Sequence, residues 1–397
     1  MARLHGNEKK QRKIMLILEK PYVSQTLINT AIEKNLPVLR NAMSEKIVSE
    51  SHALNLLNDA EFVAEYQKRG RLYTMSENAL GWLVEHLPDQ ELLDKIALLK
   101  DKATFRRICQ DMYPDFFFCE EEIVKLNNIN PDELTYPLVL KPSVGFLSAG
   151  VHVVHNADEW RTAIRDIQEN FHKVGSQFPE FVIGTQKFLI EEYIKGEEYA
   201  VDTYFDDQGN PTILNIFHHR FANESDTSDR LYCSSRALYD QYEEPFMNFL
   251  VQLNKVLKLH DFPMHIEFRY DGKKAIPIEI NPLRFAGFCL NELQTHISGT
   301  HPIVAYLNNI HLSKEEMWKG KEQDTYSFLV LERPADADDK EVFNEKKFRE
   351  DMMDVLELRP LADPTVGVAA TAFIRTDDAH SAELEHILHL DMHDYMI

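Results

Sequence analysis

Residues 276–287 read IPIEINPLRFAG, a stretch that combines apolar and oxygen-bearing side chains. Isoleucine stands at every second position from 276 to 280, which is the pattern of a β-strand with one buried face. The other face then presents Glu279 and Asn281, two oxygen donors that are two residues apart. Taken alone, such a face is most often the solvated side of an amphipathic strand, so the neighbouring sequence has to decide its role.

The preceding residues extend this strand into a hairpin. The sequence MHIEFRYDGKKAIPIEIN (264–281) contains an Asp-Gly turn signal between two strand patterns. Antiparallel pairing would bring Glu267 on the first strand close to Glu279 and Asn281 on the second. Such oxygens suit Mg²⁺, and two neighbouring carboxylates need a cation to neutralise them. An exposed hairpin with incidental acidic residues remains the alternative for this segment alone.

A lysine and a loop of small residues lie upstream. YPLVLKPS (136–143) is predicted to be an apolar strand that carries Lys141, and a buried lysine is unfavourable unless it meets an anion. The following loop, SVGFLSAGV (143–151), contains glycines that let backbone N–H groups approach phosphate oxygens. It matches neither the GxxxxGK[ST] nor the GxGxxG pattern, so by itself it is a weak signal.

An acidic turn follows at 188–202, FLIEEYIKGEEYAVD. We interpret its first part as an edge strand, whose unpaired backbone groups could bind the N1 and N6 edge of an adenine. Glu198, beyond the turn at Gly196, could accept hydrogen bonds from ribose hydroxyls. An ordinary hairpin with a charged turn remains the alternative for this segment alone.

Composition limits the partners of the chain. Its 397 residues carry a formal net charge of −22, which argues against nucleic acid and anionic membrane surfaces as partners, because both require a basic surface. An anionic small molecule needs only a local basic pocket. The four scattered cysteines form no CxxC pair, so we predict reduced thiols in a cytoplasmic protein. No apolar run is long enough for a signal sequence or a membrane span.

The order of predicted elements indicates α/β structure followed by α+β structure. The first unit is predicted to contain a strand at 13–19, a helix at 24–35 capped by Ser24, a strand at 36–41, and helical patterns at 45–66 and 76–98. The second is predicted to contain helices at 101–112, 157–174 and 243–259, strands at 136–143, 151–155, 188–194, 199–205 and 213–221, and the hairpin. Residues 222–236 are interpreted as a long loop, and 321–397 as mixed structure packed on the body.

Taken in order, these features resemble the ATP-grasp superfamily. The order is a helix lysine (Lys102 in LLKDKATFRR), a strand lysine with its loop (LVLKPSVGFLSAGV), the acidic turn (EEYIKGEEYAVD) and the HIEFR…IEINP hairpin. The resemblance implies an ATP-grasp fold behind an N-terminal Rossmann-like domain. The implied segments are an N-terminal α/β domain at 1–100, a central subdomain with the phosphate loop at 101–187, a C-terminal subdomain with the metal site at 188–320, and an extension at 321–397.

The resemblance also implies roles for individual residues, in the phosphate, nucleoside and metal parts of one site. The phosphate part would comprise Lys102 and Lys141, with Ser143, Gly145 and Ser148 in a closing loop. The nucleoside part would comprise Glu191, Tyr193 and Ile194 at the adenine hinge, Ile278 beneath the base and Glu198 at the ribose. The metal part would comprise Glu267, Glu279 and Asn281, holding Mg²⁺ or Mn²⁺ between the β- and γ-phosphates of ATP.

The chain departs from the family pattern after the hairpin. The family often has Asn-Pro-Arg or Asn-x-Arg followed by a glycine pair, whereas here Arg284 is shifted by one residue and the glycine pair is absent. We predict Arg284 to stabilise charge on the reacting carboxylate. His219 and Arg220 are candidates for a γ-phosphate contact, and Arg220 is preferred because its charge is permanent. His265 is more simply interpreted as a packed histidine.

The resemblance implies an ATP- and Mg²⁺-dependent ligase that joins a small-molecule carboxylate to an amine through an acylphosphate and releases ADP and phosphate. Amino acids or a peptide precursor are the expected substrates. The alternatives are an ATP-grasp carboxylase or kinase-like enzyme, and a non-catalytic ATP-binding protein. Similar proteins commonly form homodimers, a state that the sequence does not test. Substrate specificity is expected from the first unit, the loop 222–236 and the segment after Arg284. Candidates for holding an acidic substrate are Arg230, Tyr232, Arg236 and Arg269, for which solvated or structural roles are about equally plausible.

Overall fold

The structure, a computed structural model, describes residues 14–50, 53–68, 70–143, 150–175, 187–223 and 226–397. Its first elements are β1 (Ile14–Ile17), α1 (Gln25–Glu33), β2 (Pro37–Leu39), α2 (Ala42–Ser49), β3 (Asn55–Leu57), α3 (Asp59–Tyr66), β4 (Arg71–Thr74), α4 (Leu80–His86) and α5 (Gln90–Lys100). The four strands pair in parallel in the order β3-β2-β1-β4. Ser24 caps α1 as predicted, accepting from the Leu27 N–H at 3.0 Å.

One element of this first unit differs from the prediction. The helical pattern at 45–66 is interrupted by β3, which pairs with β2 at the edge of the sheet. A short apolar run of this kind cannot be distinguished from part of a helix by its periodicity.

A small antiparallel sheet follows the first unit. Its elements are α6 (Lys102–Cys109), β5 (Phe118–Glu122), β6 (Leu138–Pro142), β7 (His152–Val154), α7 (Ala157–Gly175) and β8 (Lys187–Glu192). The strand order is β5-β8-β6-β7. Helix α7 packs Trp160, Ile164 and Ile167 against one face of the sheet, where Leu140 and Ile190 are fully buried. The residues that alternate with these two therefore belong to the opposite face.

An eight-stranded sheet forms the rest of the body, in the order β13-β12-β9-β10-β11-β14-β16-β15. Its elements are β9 (Glu197–Phe205), β10 (Pro211–Arg220), β11 (Leu231–Ser235), α8 (Arg236–Leu257), β12 (Phe262–Tyr270), β13 (Ala275–Pro282), α9 (Leu293–Ser298), α10 (Pro302–Asn308), α11 (Lys314–Met317), β14 (Asp324–Glu332), α12 (Glu345–Asp351), β15 (Val355–Pro360), β16 (Val368–Asp377) and α13 (Ala382–Leu388). All of its strand pairs are antiparallel.

Two segments of this sheet differ from the sequence-based prediction. Strand β11 occupies 231–235 of the predicted loop 222–236, and α8 begins at Arg236 rather than at 243. Leu231 and Cys233 are buried in alternation, but this short period-two signal is hidden among polar residues. Residues 324–377 continue the same sheet, because β14 pairs with β11. All four cysteines are free. Among the described residues, no helix is long and apolar enough to cross a membrane.

The first unit is joined to the large sheet at the carboxyl ends of its strands. The Thr74 N–H donates to the Leu283 carbonyl at 2.8 Å, just after β13. Ser24 donates to the Glu292 carboxylate at 2.5 Å, and Arg359 of β15 donates to the same carboxylate at 2.6 Å. Ligands of open parallel sheets bind at this edge. The predicted α/β and α+β fold class is confirmed, whereas the four segment boundaries stay predictions.

Candidate active site

A buried group of charges lies on the face of the small sheet opposite α7. Lys141 Nζ lies 2.6 Å from Glu191 Oε1, and Arg106 Nε donates to Glu191 Oε2 at 2.6 Å. Burial alone would raise the pKa of Glu191, but Arg106 and Lys141 lower it to about 2. Burial lowers the pKa of Lys141, and Glu191 opposes this effect. We call this group, Arg106, Lys141 and Glu191, the buried triad. It holds in place Lys141, the strand lysine that the resemblance assigns to the ATP phosphates.

Arg106 was not predicted as a site residue, yet it links the two sheets. Its Nη1 donates to the carbonyl oxygen of Pro277 in β13 at 2.5 Å. A signal was available in the sequence, because Arg106 lies midway between the buried residues Ala103 and Cys109 at three-residue spacing on α6. A charged residue on the buried face of a helix indicates a buried partner.

The predicted adenine hinge is not at a sheet edge. Strand β8 lies between β5 and β6, so that part of the prediction is wrong. The Tyr193 N–H donates to the Pro137 carbonyl at 3.0 Å, and the Ile194 carbonyl accepts from Arg269 at 3.4 Å. The hydrophobic pattern of a strand does not reveal its position in a sheet. The contacts of Glu191, Tyr193 and Ile194 with adenine stay predictions.

Gly196 allows the turn after the hinge to approach the acidic hairpin. Its φ is +103°, and a Cβ at this position would lie 2.0 Å from the carbonyl oxygen of Tyr270. Because this contact is with backbone, a side chain cannot be accommodated by a rotamer change.

We expect Gly196→Ala to lower the free energy of unfolding by about 1–3 kcal/mol, because strained backbone and a backbone clash combine. Urea unfolding measures this loss. Gly272→Ala is the matched control, since Gly272 has φ of +90° but no atom of the described residues within 4 Å of the point where its Cβ would lie. Equal losses in the two variants would show that the contact with Tyr270 contributes nothing.

The acidic hairpin forms between β12 and β13. Glu267 is the register partner of Glu279, and His265 is the partner of Asn281, so these side chains share one face of the sheet. A β-bulge follows Glu267 and leaves Ile278 as the extra residue of β13. The bulge interrupts the isoleucine alternation. Ile278 is half-buried, and its contact with adenine stays a prediction.

The electrostatics of this face fit a divalent cation. Burial, and then Glu279, raise the pKa of Glu267 to about 8. Burial opposes ionisation of Glu279, but Lys102 and Lys100 lower its pKa below the ordinary value. Among the described residues, no group of three or more His, Cys, Asp or Glu side chains is arranged to hold a metal ion. A site at this hairpin would therefore take its third protein oxygen from Asn281. Mg²⁺ accepts such incomplete sets, because it keeps water and phosphate as further ligands.

Glu198, the predicted ribose ligand, is held from two sides on the same face. His219 Nδ1 lies 2.9 Å from its Oε1, and Arg269 donates to its Oε2 at 3.4 Å. His219 Nε2 lies 3.1 Å from the Ser228 carbonyl oxygen, and its ring stacks on Tyr232 with centroids 4.2 Å apart. Both ring nitrogens of His219 face oxygen atoms, so the ring bridges Glu198 and the Ser228 backbone.

The structure does not bring Arg220 to this face. Successive residues of a strand point to opposite faces, so Arg220 lies on the other side of the sheet from His219. There it pairs with Glu385 of α13 at 3.2 Å. The preference for Arg220 over His219 therefore does not fit the geometry, because His219 is the side chain that lies beside Glu198.

We expect His219→Ala to lower kcat by about tenfold or more, because Glu198 then loses one of the two side chains that orient it at the proposed nucleotide position. Arg220→Ala should change kcat by less than about threefold, as expected for a partly exposed ion pair. ADP release measured at saturating ATP compares the two variants. A larger loss for Arg220→Ala would contradict the assignment.

A second group of charges connects the first unit to the hairpin. Lys102 Nζ lies 3.3 Å from Glu279, while Lys100 Nζ lies 2.8 Å from Glu77. Arg284 Nη2 lies 3.4 Å from the same Glu77 carboxylate. The structure thus brings Lys102 and Arg284 close to the hairpin. The sequence analysis did not predict Lys100 or Glu77 as site residues. Lys100 stands two residues before Lys102 in LLKDKATFRR, and this proximity was its one available signal, whereas Glu77 had no signal.

The predicted phosphate loop, 143–151, lies only partly within the described residues. Gly145 and Ser148 lie outside the described residues. The Ser143 N–H donates to the Lys187 carbonyl at 3.0 Å, and the Ser143 carbonyl accepts from the Lys102 N–H at 2.9 Å. The backbone of Ser143 therefore connects the start of the loop with the start of α6.

Three other residues with open roles occupy structural positions. His265 Nδ1 lies 2.9 Å from the fully buried Asp202, in agreement with its interpretation as a packed histidine. Arg230 donates to the Leu390 carbonyl at 2.8 Å. Arg236 pairs with Asp240 within α8 at 3.0 Å.

Known proteins share parts of this sequence. The ATP-grasp domain family matches residues 134–292. The carbamoyl phosphate synthase large chain of Clostridium acetobutylicum is 27% identical over 152 residues, which are 38% of this chain and 13% of that protein. The D-alanine–D-alanine ligase of Bacillus anthracis is 34% identical over 100 residues, which are 24% of this chain and 28% of that protein. The matches thus span less than a third of either relative.

The fold can be compared over nearly the whole chain. The crystal structure of an L-amino acid ligase from Bacillus licheniformis has a TM-score of 0.66 and 17% sequence identity, and the superposition covers 98% of both chains. At this identity the similarity concerns the fold alone. The family match, however, contains Lys141, Glu191, Glu198 and the acidic hairpin. Residues 134–292 therefore match the ATP-grasp domain family, within a chain whose fold is similar to that of the ligase over nearly its whole length.

Proposed function

We propose that the protein is an ATP-dependent ligase that joins a small-molecule carboxylate to an amine and releases ADP and phosphate. The observation that carries this proposal is the convergence of lysines on the acidic hairpin, with Lys102 at 3.3 Å from Glu279 and the buried triad on the facing sheet. Phosphoryl transfer requires positioning and charge neutralisation rather than a protein nucleophile. The two lysines, Arg284 and the paired carboxylates of the hairpin can meet both requirements.

The reaction would proceed in two steps. A carboxylate oxygen of the substrate attacks the γ-phosphorus of ATP, a P–O bond forms, and ADP leaves. The amine then attacks the acyl carbon of this acylphosphate, and the tetrahedral intermediate expels phosphate as the amine loses a proton to water. Lys102 and Lys141 would hold the phosphates. Arg284 would donate to the oxygen that becomes negatively charged in the second step.

The acidic hairpin would hold the metal ion. Glu267, Glu279 and Asn281 supply oxygen donors, and Mg²⁺ at this position would neutralise charge on the transferring phosphates. Glu198 would accept from the ribose hydroxyls. Its carboxylate is already oriented by His219 and Arg269, so little reorganisation would accompany nucleotide binding.

Amino acids and peptides are the proposed substrate class. Two similar proteins support this, since they are named as a D-alanine–D-alanine ligase and an L-amino acid ligase. The proposed substrate position lies between the carboxyl ends of β1 and β4 and Arg284, where Glu77 pairs with Arg284. A homodimer stays a prediction.

The test is product analysis with ATP, Mg²⁺ and pooled amino acids. We expect ADP and phosphate in equal amounts, formed only when amino acids are present, together with a new mass equal to two substrates minus water. AMP and pyrophosphate would contradict the proposed reaction. Tight nucleotide binding without turnover in any amino-acid or peptide pool would favour a non-catalytic ATP-binding protein.

A further inference from the structure

Lys100 lies where the first unit meets the acidic hairpin, and it has no role in the proposed reaction. Its Nζ is 2.8 Å from Glu77, 3.4 Å from Glu279 Oε1 and 3.4 Å from Asn281 Oδ1. The side chain is only 14% exposed. One ammonium group therefore bonds two of the three oxygen donors that are proposed to hold Mg²⁺.

An ammonium group and a divalent cation compete for these oxygens. Mg²⁺ sits about 2.0–2.1 Å from its ligands, so the metal ion and Nζ would be like charges in close proximity. Lys102 also contacts Glu279 Oε1, at 3.3 Å, but the proposed phosphate contact gives it another anion. Lys100 has such an alternative in Glu77, which is its shortest contact.

We propose that Lys100 is a positioning residue that competes with the divalent cation for Glu279 and Asn281. This inference rests on the proposed metal site. Without nucleotide, the ammonium group neutralises the hairpin and weakens metal binding. When nucleotide phosphates and the metal ion arrive together, Lys100 keeps Glu77 and gives up the hairpin oxygens. Bound nucleotide therefore raises the affinity for the metal ion, and the bound metal ion raises the affinity for nucleotide by the same factor.

The experiment is a Mn²⁺ titration of the full chain without nucleotide, followed through the EPR signal of free Mn²⁺. We expect Lys100→Met to bind Mn²⁺ at least about fivefold more tightly than the wild type, within the usual range of coupling factors. Lys100→Arg retains the charge and should not bind more tightly. Lys95→Met is the matched control, because it removes a charge from the same helix where Lys95 pairs with Glu91 at 2.7 Å.

The same titration with ADP present tests the coupling. ADP should lower the Kd of Mn²⁺ by a larger factor in the wild type than in Lys100→Met. Unchanged or weaker binding by Lys100→Met, or equal tightening by Lys95→Met, would overturn the inference. If Lys100→Met unfolds below the titration temperature, Lys100→Gln takes its place under the same criteria. If Glu279→Gln binds Mn²⁺ as tightly as the wild type, the proposed metal site itself is refuted. That result is distinct from failure of the Lys100 inference.

Discussion

Replacing Glu279 by glutamine should lower kcat by about 100- to 1000-fold, because the metal ion would lose one of two carboxylate ligands beside the transferring phosphate. Glu279 and Glu267 are register partners, and no other pair of acidic residues is aligned in this hairpin within the described ranges. The measurement is ADP formation at saturating ATP and Mg²⁺. Raised Mg²⁺ concentration should recover part of the loss, since the remaining ligands still bind metal weakly.

The control for this variant is Glu91→Gln, which changes an exposed glutamate on α5 that pairs with Lys95. It should leave kcat unchanged within experimental error. Glu279→Gln should melt below the wild type, because Lys100 and Lys102 lose a shared carboxylate, so kcat is compared at a temperature where both proteins are folded. Full activity in a folded Glu279→Gln variant would contradict the assignment of Glu279 as a metal ligand.

Replacing Glu191 by glutamine should lower the free energy of unfolding by about 3–5 kcal/mol, because two buried cations would lose their shared carboxylate. Glu191 is 2% exposed and Lys141 is 5% exposed, so water cannot replace the missing charge. Urea unfolding measures the loss. Glu350→Gln, which disrupts an exposed i,i+4 pair with Lys346, should change stability by less than about 0.5 kcal/mol.

This loss should depend on pH in a defined direction. The pKa of Glu191 is about 2 in the folded chain and has an ordinary value of 4.5. Above 4.5 the carboxylate is charged in both states, and its contribution is complete. Below 4.5 the unfolded chain takes up the proton first, so the contribution falls. The stability difference between wild type and Glu191→Gln should therefore shrink from pH 7 to about pH 3.5. A constant difference would mean that charge is not its source.

Local signals predicted the parts of this structure that depend on neighbouring residues. Ser24 caps α1 through a contact three residues away, and the acidic hairpin follows from a period-two pattern and an Asp-Gly turn. The order of lysines and acidic residues was sufficient to indicate the ATP-grasp superfamily. These features share one property: the residues that determine them lie close together in the sequence.

The remaining features depend on contacts that sequence patterns do not encode. Strand β10 is buried along most of its length, so its pattern does not reveal that His219 rather than Arg220 lies on the site face. The interior position of β8 depends on pairing with β5, which is distant in sequence. Glu77 meets Arg284 across more than 200 residues, and neither residue carries a local signal of the other.

The most direct test of the proposed phosphoryl transfer is isotope transfer from a labelled substrate. Amino acids with ¹⁸O in both carboxylate oxygens are supplied with ATP and Mg²⁺, and the released phosphate is analysed by mass spectrometry. We expect one ¹⁸O atom in each phosphate, because the acylphosphate oxygen comes from the substrate and leaves with phosphorus. Unlabelled phosphate, or label in AMP, would contradict phosphoryl transfer to a carboxylate at this site.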